Sequence, residues 1–286
     1  MKPPVFSYVA PQTIEECTAL LREYGVEAKI IAGGQSLMPL LNLRMLRPKV
    51  LIDIARIKDL DRIEQADGRL RIGAMVRQRV AERSPLIRSF SSLLTEAISH
   101  IGHIATRSRG TVVGSLCHAD PAAELPVCAL LLDAELLLLS QAGERRVRAA
   151  EFFASAMVTS AQADEWVTAV QFPAPASATG FAFCEMARRS GDFAVVSVAA
   201  RIHRDGTEGA VALGGVGDTP VKFSLSKFAA GAPINATTLE AFGQHVAQSI
   251  DARTDLHASA AYRRSIAAVL VQRALDTAAK RAMSLS

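Results

Sequence analysis

Ile30-Ile31-Ala32-Gly33-Gly34-Gln35-Ser36-Leu37-Met38-Pro39 runs from β-branched apolar residues straight into two glycines, a hydroxyl and an apolar stretch that contains a proline. That order predicts a strand, a tight turn and a short helix. Glycines at such a turn permit φ > 0 and let backbone N–H groups approach a ligand with no Cβ in between. Successive N–H groups aimed into one concavity form an anion site, to which Ser36 adds a hydroxyl donor. The stretch Arg109-Gly110-Thr111-Val112-Val113-Gly114-Ser115 repeats this chemistry later in the chain. Two loops of this kind fit the diphosphate of a dinucleotide.

Around the first loop, residues 1–55 read as strand, helix, strand, turn, helix, strand. Phe6–Ala10 is extended, Thr13 caps a helix with Glu15 and Glu16 in its first turn, and Gly25 stands at the helix C-cap. After the Gly-Gly turn comes a short helix over Leu37–Arg44, and Val50–Ile54 is a buried strand. This is a small α/β unit. Residues 56–175 have an α+β character with mostly antiparallel pairing. Ile63–Ile72 alternates around Asp67-Gly68, a strong hairpin signal. A helix over Ser91–His100 precedes the second glycine stretch, and Asp120-Pro121 is expected to cap a helix. Ala134–Leu139 and Arg145–Arg148 form another hairpin, and Trp166–Phe172 is a strand ending at Pro173.

Pro173–Thr179 has the composition of a linker. In the third unit, 178–286, Phe193–His203 and Gly209–Leu213 pair across Asp205-Gly206. The chain turns helical from Thr237, and His257–Met283 places Tyr262, Ile266, Val269, Leu270 and Arg273 on one face. The fold class is α+β: a small α/β unit, a larger mixed-sheet unit, and a small C-terminal domain of sheet plus helices.

Composition narrows the function. In 286 residues, 32 basic side chains face 28 acidic ones for a net charge of +4, too mild a bias for a nucleic-acid footprint. Aromatic residues at 5 % argue against a stacking platform for single strands. The start Met-Lys-Pro-Pro has no apolar region behind it, and the longest apolar run, Val127–Leu139, is interrupted by Asp133 and Glu135. Neither a secretory signal nor a membrane span is expected, and a cytoplasmic protein is. Cys17, Cys117, Cys128 and Cys184 lie far apart, which suits reduced thiols rather than a disulfide framework, a zinc site or an iron–sulfur site. Cys117, His118 and Asp120 have no partner cluster, so no metal site is expected. Neither G-x-G-x-x-G after a first strand nor a P-loop occurs, and Gly214-Gly215-Val216-Gly217 only imitates the former. No catalytic Ser–His–Asp set or carboxylate pair stands out.

The order of motifs is more specific than any one of them. Ala32–Leu41, Arg109–Pro126, Arg188-Arg189-Ser190-Gly191-Asp192-Phe193-Ala194 and Asp255–Arg264 together closely resemble the FAD-binding medium subunit of the molybdenum hydroxylases. These are the multi-subunit relatives of xanthine dehydrogenase and bacterial carbon monoxide dehydrogenase. The resemblance spans essentially the whole chain. It implies that residues 1–55 and 56–175 are two FAD-binding subdomains and that 178–286 is a C-terminal flavoprotein domain.

It further implies that Ala32, Gly33, Gly34, Gln35, Ser36 and Leu37, with Gly110, Thr111, Val113, Gly114 and Ser115, cradle the diphosphate and ribityl chain of FAD. Glu124 supplies an acidic contact, Ile101 an apolar one, and Phe193 a flat ring against the isoalloxazine. Arg107 and Arg109 bias the local field. The implied partners are a large molybdopterin subunit and a small subunit with two [2Fe–2S] clusters, in a heterotrimer or its dimer, with electrons leaving through FAD to an external acceptor. The chain departs from the family pattern where Val113 replaces a glycine, an expected cost to backbone approach and FAD affinity, and where Gln35 replaces a common histidine. Two alternatives are a stand-alone FAD-dependent oxidoreductase and a docking subunit with weakened FAD binding.

Overall fold

A computed structural model describes residues 2–231 and 234–285. The first unit runs β1 (Ser7–Val9), α1 (Ile14–Tyr24), β2 (Ala28–Ile31), α2 (Leu37–Asn42) and β3 (Val50–Asp53), with the strands parallel in the order β1-β3-β2. Thr13 caps α1 by accepting from the Glu16 N–H at 3.2 Å, and Gly25 ends it at φ +51°. Both are legible from local side-chain chemistry.

A second sheet is antiparallel throughout. Its strands are β4 (Ile63–Ala66), β5 (Arg69–Gly73), β6 (Glu135–Ser140), β7 (Gly143–Arg148) and β10 (Trp166–Pro173), ordered β4-β5-β10-β6-β7. Asp67 and Gly68 both take positive φ in the first hairpin, as the tight primed turn demands. Between β5 and β6 the chain is more helical than the sequence predicts. It forms α3 (Gln78–Arg83), α4 (Pro85–Phe90), α5 (Ser92–His100), α6 (Ile104–Arg109), α7 (Val112–His118) and α8 (Glu124–Leu131). Most are too short to display a helical period, and α8 is buried on every side, so it has no polar stripe to betray it. The expected helix start at Asp120-Pro121 is displaced. Asp120 instead accepts the Ala122 N–H at 2.9 Å in an Asx turn, and Ala123 is the N-cap. After β7 come α9 (Ala149–Phe152) and the small pair β8 (Phe153–Ser155) and β9 (Val158–Thr159).

The third sheet is an antiparallel meander, β11 (Thr179–Ala187), β12 (Ala194–His203), β13 (Gly209–Gly214) and β14 (Val221–Ser224), followed by α10 (Leu225–Ala229), α11 (Ala236–Ser249) and α12 (Ala260–Ser284). The sequence predicts β12 and β13 but not the outer strands. The helix α12 packs on β11 and β12, while α5 packs on β11 and α8 on β12 and β13, so the sheet is covered on both faces. The predicted inward face of α12 is rotated. Arg263, Ala267, Leu270, Val271, Ala274 and Ala278 are buried, whereas Tyr262 and Val269 are about half exposed at 47 % and 50 %. Inward positions are mostly alanine, which allows the helix backbone to lie close to the sheet, and hydrophobic size alone mis-assigns such a face. Buried Arg263 is satisfied by the Asp255 carboxylate at 2.6 Å and by the carbonyls of Val195, Gly215 and Arg253. Among the described residues, no helix is long and apolar enough to cross a membrane.

Candidate functional site

The turn after β2 carries the first glycine loop. Gly34 has φ +72°, a conformation that a side chain disfavours. At Gly33 the constraint is space, because a Cβ there would lie 2.4 Å from the Arg109 carbonyl oxygen and 2.7 Å from the Gly110 Cα. The two glycine stretches, far apart in sequence, therefore meet backbone to backbone. Ser36 opens α2 without capping it through its side chain, and Gln35 is exposed.

The connection from β5 to α3 holds the second stretch in place. The Gln78 N–H donates to the Gly110 carbonyl at 2.8 Å, the Val112 N–H donates to the Val76 carbonyl at 3.0 Å, and the Arg77 guanidinium donates to the Arg109 carbonyl. Burial and the neighbouring Arg109 charge hold the Arg77 pKa below the usual guanidinium range. Two crowded cations where two glycine loops meet create a local field suited to a polyanion. Arg107 is different. It is buried, paired with Glu82 at 3.1 Å, and donates to the carbonyls of Ile101 and Gly102 at 2.9 and 3.2 Å. Its work is to hold the 101–102 turn rather than to set a field at the loops.

The second stretch differs from its sequence reading in one respect. From Val112 onward it is helix, with Thr111 at the N-cap accepting the Gly114 N–H at 3.0 Å. Val113 does not have positive φ, and its side chain is 2 % exposed in the main core. The expected conflict between a β-branched side chain and the backbone at position 113 does not arise, because the valine points into the protein.

The end of α5 is tied to the segment before the second stretch through Arg107. Ile101 is partly buried on the core surface, next to Gly102 at φ +45°. The connection from β11 to β12 approaches the same turn: a Cβ on Gly191 would lie 3.0 Å from the Gly102 carbonyl oxygen and from the His103 ring. Phe193, on that connection, is 67 % exposed beside an open cavity of about 820 Å³ lined also by Asp120, Arg189, Gly215 and Gly217. The Gly214–Gly217 run belongs to this cavity wall and to the end of β13, not to a phosphate loop. Glu124, the first residue of α8, is buried, and its carboxyl is pushed up to about 7. Burial is the main cause, with the charges of Glu185 and Asp120 adding to it and its own backbone N–H and His100 opposing.

Arg77, Gln78, His100 and Glu185 have no motif signal in the sequence. The one available hint was a carboxylate at Glu185 inside the apolar run Phe181–Met186. The buried Oε1 of Gln78, without a hydrogen-bond partner among the described residues, lies directly under Gly110.

Comparison with known proteins bears on this geometry. Residues 4–175 match the family model described as the FAD binding domain in molybdopterin dehydrogenase, and residues 181–278 match the CO dehydrogenase flavoprotein C-terminal domain. The caffeine dehydrogenase subunit beta of Pseudomonas sp. (strain CBB1) is 36 % identical, the match covering 100 % of this chain and 98 % of that one. Among solved structures, quinoline 2-oxidoreductase from Pseudomonas putida 86 superposes with a TM-score of 0.94 at 35 % identity, over 99 % of this chain and 100 % of that one. A carbon monoxide dehydrogenase from Hydrogenophaga pseudoflava, in a form lacking the Mo-pyranopterin moiety of its molybdenum cofactor, gives 0.93 at 32 % identity, over 98 % and 99 %.

Proposed function

Because this chain belongs to the family of FAD-binding medium subunits of molybdenum hydroxylase-type oxidoreductases, we propose that it relays electrons from [2Fe–2S] clusters of a partner subunit through FAD to an external acceptor. The observation that carries the reading is the backbone contact of Gly33 with Arg109 and Gly110, with Arg77 and Arg109 crowded beside it. Such a junction presents backbone donors and positive charge to a diphosphate without a flexible side chain intervening.

The first loop, Ala32 to Leu37, and the second, Gly110 to Ser115, hold the diphosphate end mainly through backbone. Glu124 would supply an acidic contact to the cofactor, Ile101 an apolar one, and Phe193 a flat ring against the isoalloxazine. In this reading residues 1–55 and 56–175 are the two cradle subdomains and 178–286 is the domain that brings Phe193. FAD, when bound, supplies the redox chemistry; the residues of this chain bind it, orient it and exclude water from one side. A large molybdopterin subunit and a small iron–sulfur subunit complete the complex as a heterotrimer or its dimer, in the cytoplasm. Substrate choice rests with the large subunit.

The test is a visible spectrum of the purified chain after incubation with FAD and desalting, with the released flavin identified by mass. Retained FAD, reduced when the iron–sulfur partner is added with a reductant, is the expected result. A chain that stays colourless both alone and in the assembled complex overturns the cofactor assignment. Turnover of a small organic substrate by the isolated flavoprotein overturns the relay role.

A further inference from the structure

The seam between α5 and the C-terminal sheet contains a contact between a partly exposed histidine and a buried carboxylate that the cofactor reading does not use. His100, the last residue of α5, places Nδ1 3.1 Å from Oε1 of Glu185 on β11, and its ring lies on Phe183 with centroids 5.3 Å apart. The Glu185 side chain is 8 % exposed, and its other oxygen, Oε2, has no hydrogen-bond partner among the described residues. Ser197, directly across from Glu185 on β12, is fully buried with its hydroxyl also unpartnered. A buried carboxylate with one cationic partner depends on that partner, since losing it leaves an uncompensated charge.

What this contact joins is specific. One residue beyond His100 is Ile101. Past the far end of β11 lies the connection carrying Gly191 and Phe193, and Gly191 already touches Gly102 and His103. A second contact stitches the same helix to α12: Arg281 pairs with Glu96 at 2.7 and 3.0 Å and donates to the Phe181 carbonyl at 2.7 Å. Arginine stays charged at any physiological pH, so this second contact does not titrate with His100.

We propose that His100 and Glu185 are positioning residues, a latch fixing Ile101 relative to Phe193, and that the two hold the flavin tightly only while His100 carries its proton. This rests on the reading above that Ile101 and Phe193 face the flavin. The charged groups that act on the imidazole are Glu185 from β11, Glu124 from α8 and Glu96 from its own helix. The hydrogen bond to Glu185 raises the His100 pKa above its usual value, against burial, with Glu124 and Glu96 adding to the rise. A histidine raised in the folded protein contributes its stabilisation below the ordinary histidine value and loses it as pH climbs through the raised one.

The experiment is FAD affinity of the full chain, followed by flavin fluorescence from pH 6 to pH 9, in the wild type and in His100→Gln, Glu185→Gln and His100→Lys. Wild-type affinity is expected to fall about tenfold across that range, a change of one decade in Kd. His100→Gln and Glu185→Gln are expected to reduce the fall to the part that the Glu124 carboxyl contributes, at the weaker level, and His100→Lys, a cation throughout, stays tighter than the wild type at pH 9. Circular dichroism melts confirm that each variant is folded. A flat wild-type profile, or the same slope in His100→Gln, overturns the latch. Should the wild type bind no FAD at any pH, the cofactor assignment is what fails. The pair is then read in the cofactor-free chain by an NMR titration of His100, whose midpoint must drop in Glu185→Gln; an unchanged midpoint overturns the latch independently of FAD.

Discussion

The two glycine stretches are built from nearly the same residue types, yet they do different work. The first, Ala32 to Leu37, is a true loop: Gly34 occupies positive φ, and Gly33 exists because another backbone passes where its side chain would be. The second is the start of a helix. Thr111 caps it, Gly114 leaves room for that cap, since a Cβ would sit 2.6 Å from the threonine hydroxyl oxygen, and Val113 belongs to the core. A glycine therefore signals a ligand cradle only when the backbone it permits faces outward. In the proposed reading both stretches meet the diphosphate through backbone, the first from an open turn and the second from the start of a capped helix.

The harshest way to break this division is Gly33→Ala. The clash is with backbone atoms of residues 109 and 110, which have no rotamer to give way, so the loops must separate. FAD affinity is expected to fall by about a thousandfold or more, roughly 4 kcal/mol, as measured by isothermal titration. If the variant binds FAD normally, the junction is not the cradle. Val113→Gly tests the other side. Were position 113 a hindered cradle residue, glycine would tighten FAD binding. With valine buried in a helix, the substitution is expected to lower stability by about 3 kcal/mol, from lost apolar burial and helix propensity, without improving affinity. Urea denaturation of the empty chain reads the first, and fluorescence titration the second.

Legibility followed the range of the forces involved. Thr13 at its cap, Gly25 past the helix end and Asp67-Gly68 in the hairpin act within a few residues, and the sequence announces each. The strand β11 did not announce itself, and α8 announced only its start, at Asp120-Pro121 instead of Ala123, because both are covered on more than one side and lose the polar alternation that marks an exposed face. The face of α12 was misread because burial there selects for small rather than large residues. At the candidate site, the motif loops were found, but the backbone conformation at Val113 was not, since the same seven letters suit a loop or a helix start. Arg77 and the His100–Glu185 pair were invisible for a further reason: each matters through a partner more than thirty residues away, and a single sequence carries no record of that.

Thr111→Ala gives the smallest effect and the finest resolution of the comparison. Thr111 is 2 % exposed, and its hydroxyl oxygen already accepts the Gly114 N–H. Its loss removes one cap, an expected cost of about 1 kcal/mol, while Thr111→Ser keeps the oxygen and recovers most of it. Because the proposed contacts of the second stretch are made by its backbone, FAD affinity is expected to change by less than about threefold, a few tenths of a kcal/mol. The backbone carbonyl of Gly110 remains tied to Gln78 and the loop junction at Gly33 is untouched, so nothing moves the first loop. A loss of affinity approaching that of Gly33→Ala, with stability little changed, would mean that the Thr111 hydroxyl leaves its cap to meet the cofactor. The second stretch would then meet the cofactor with a side chain as well as with its backbone.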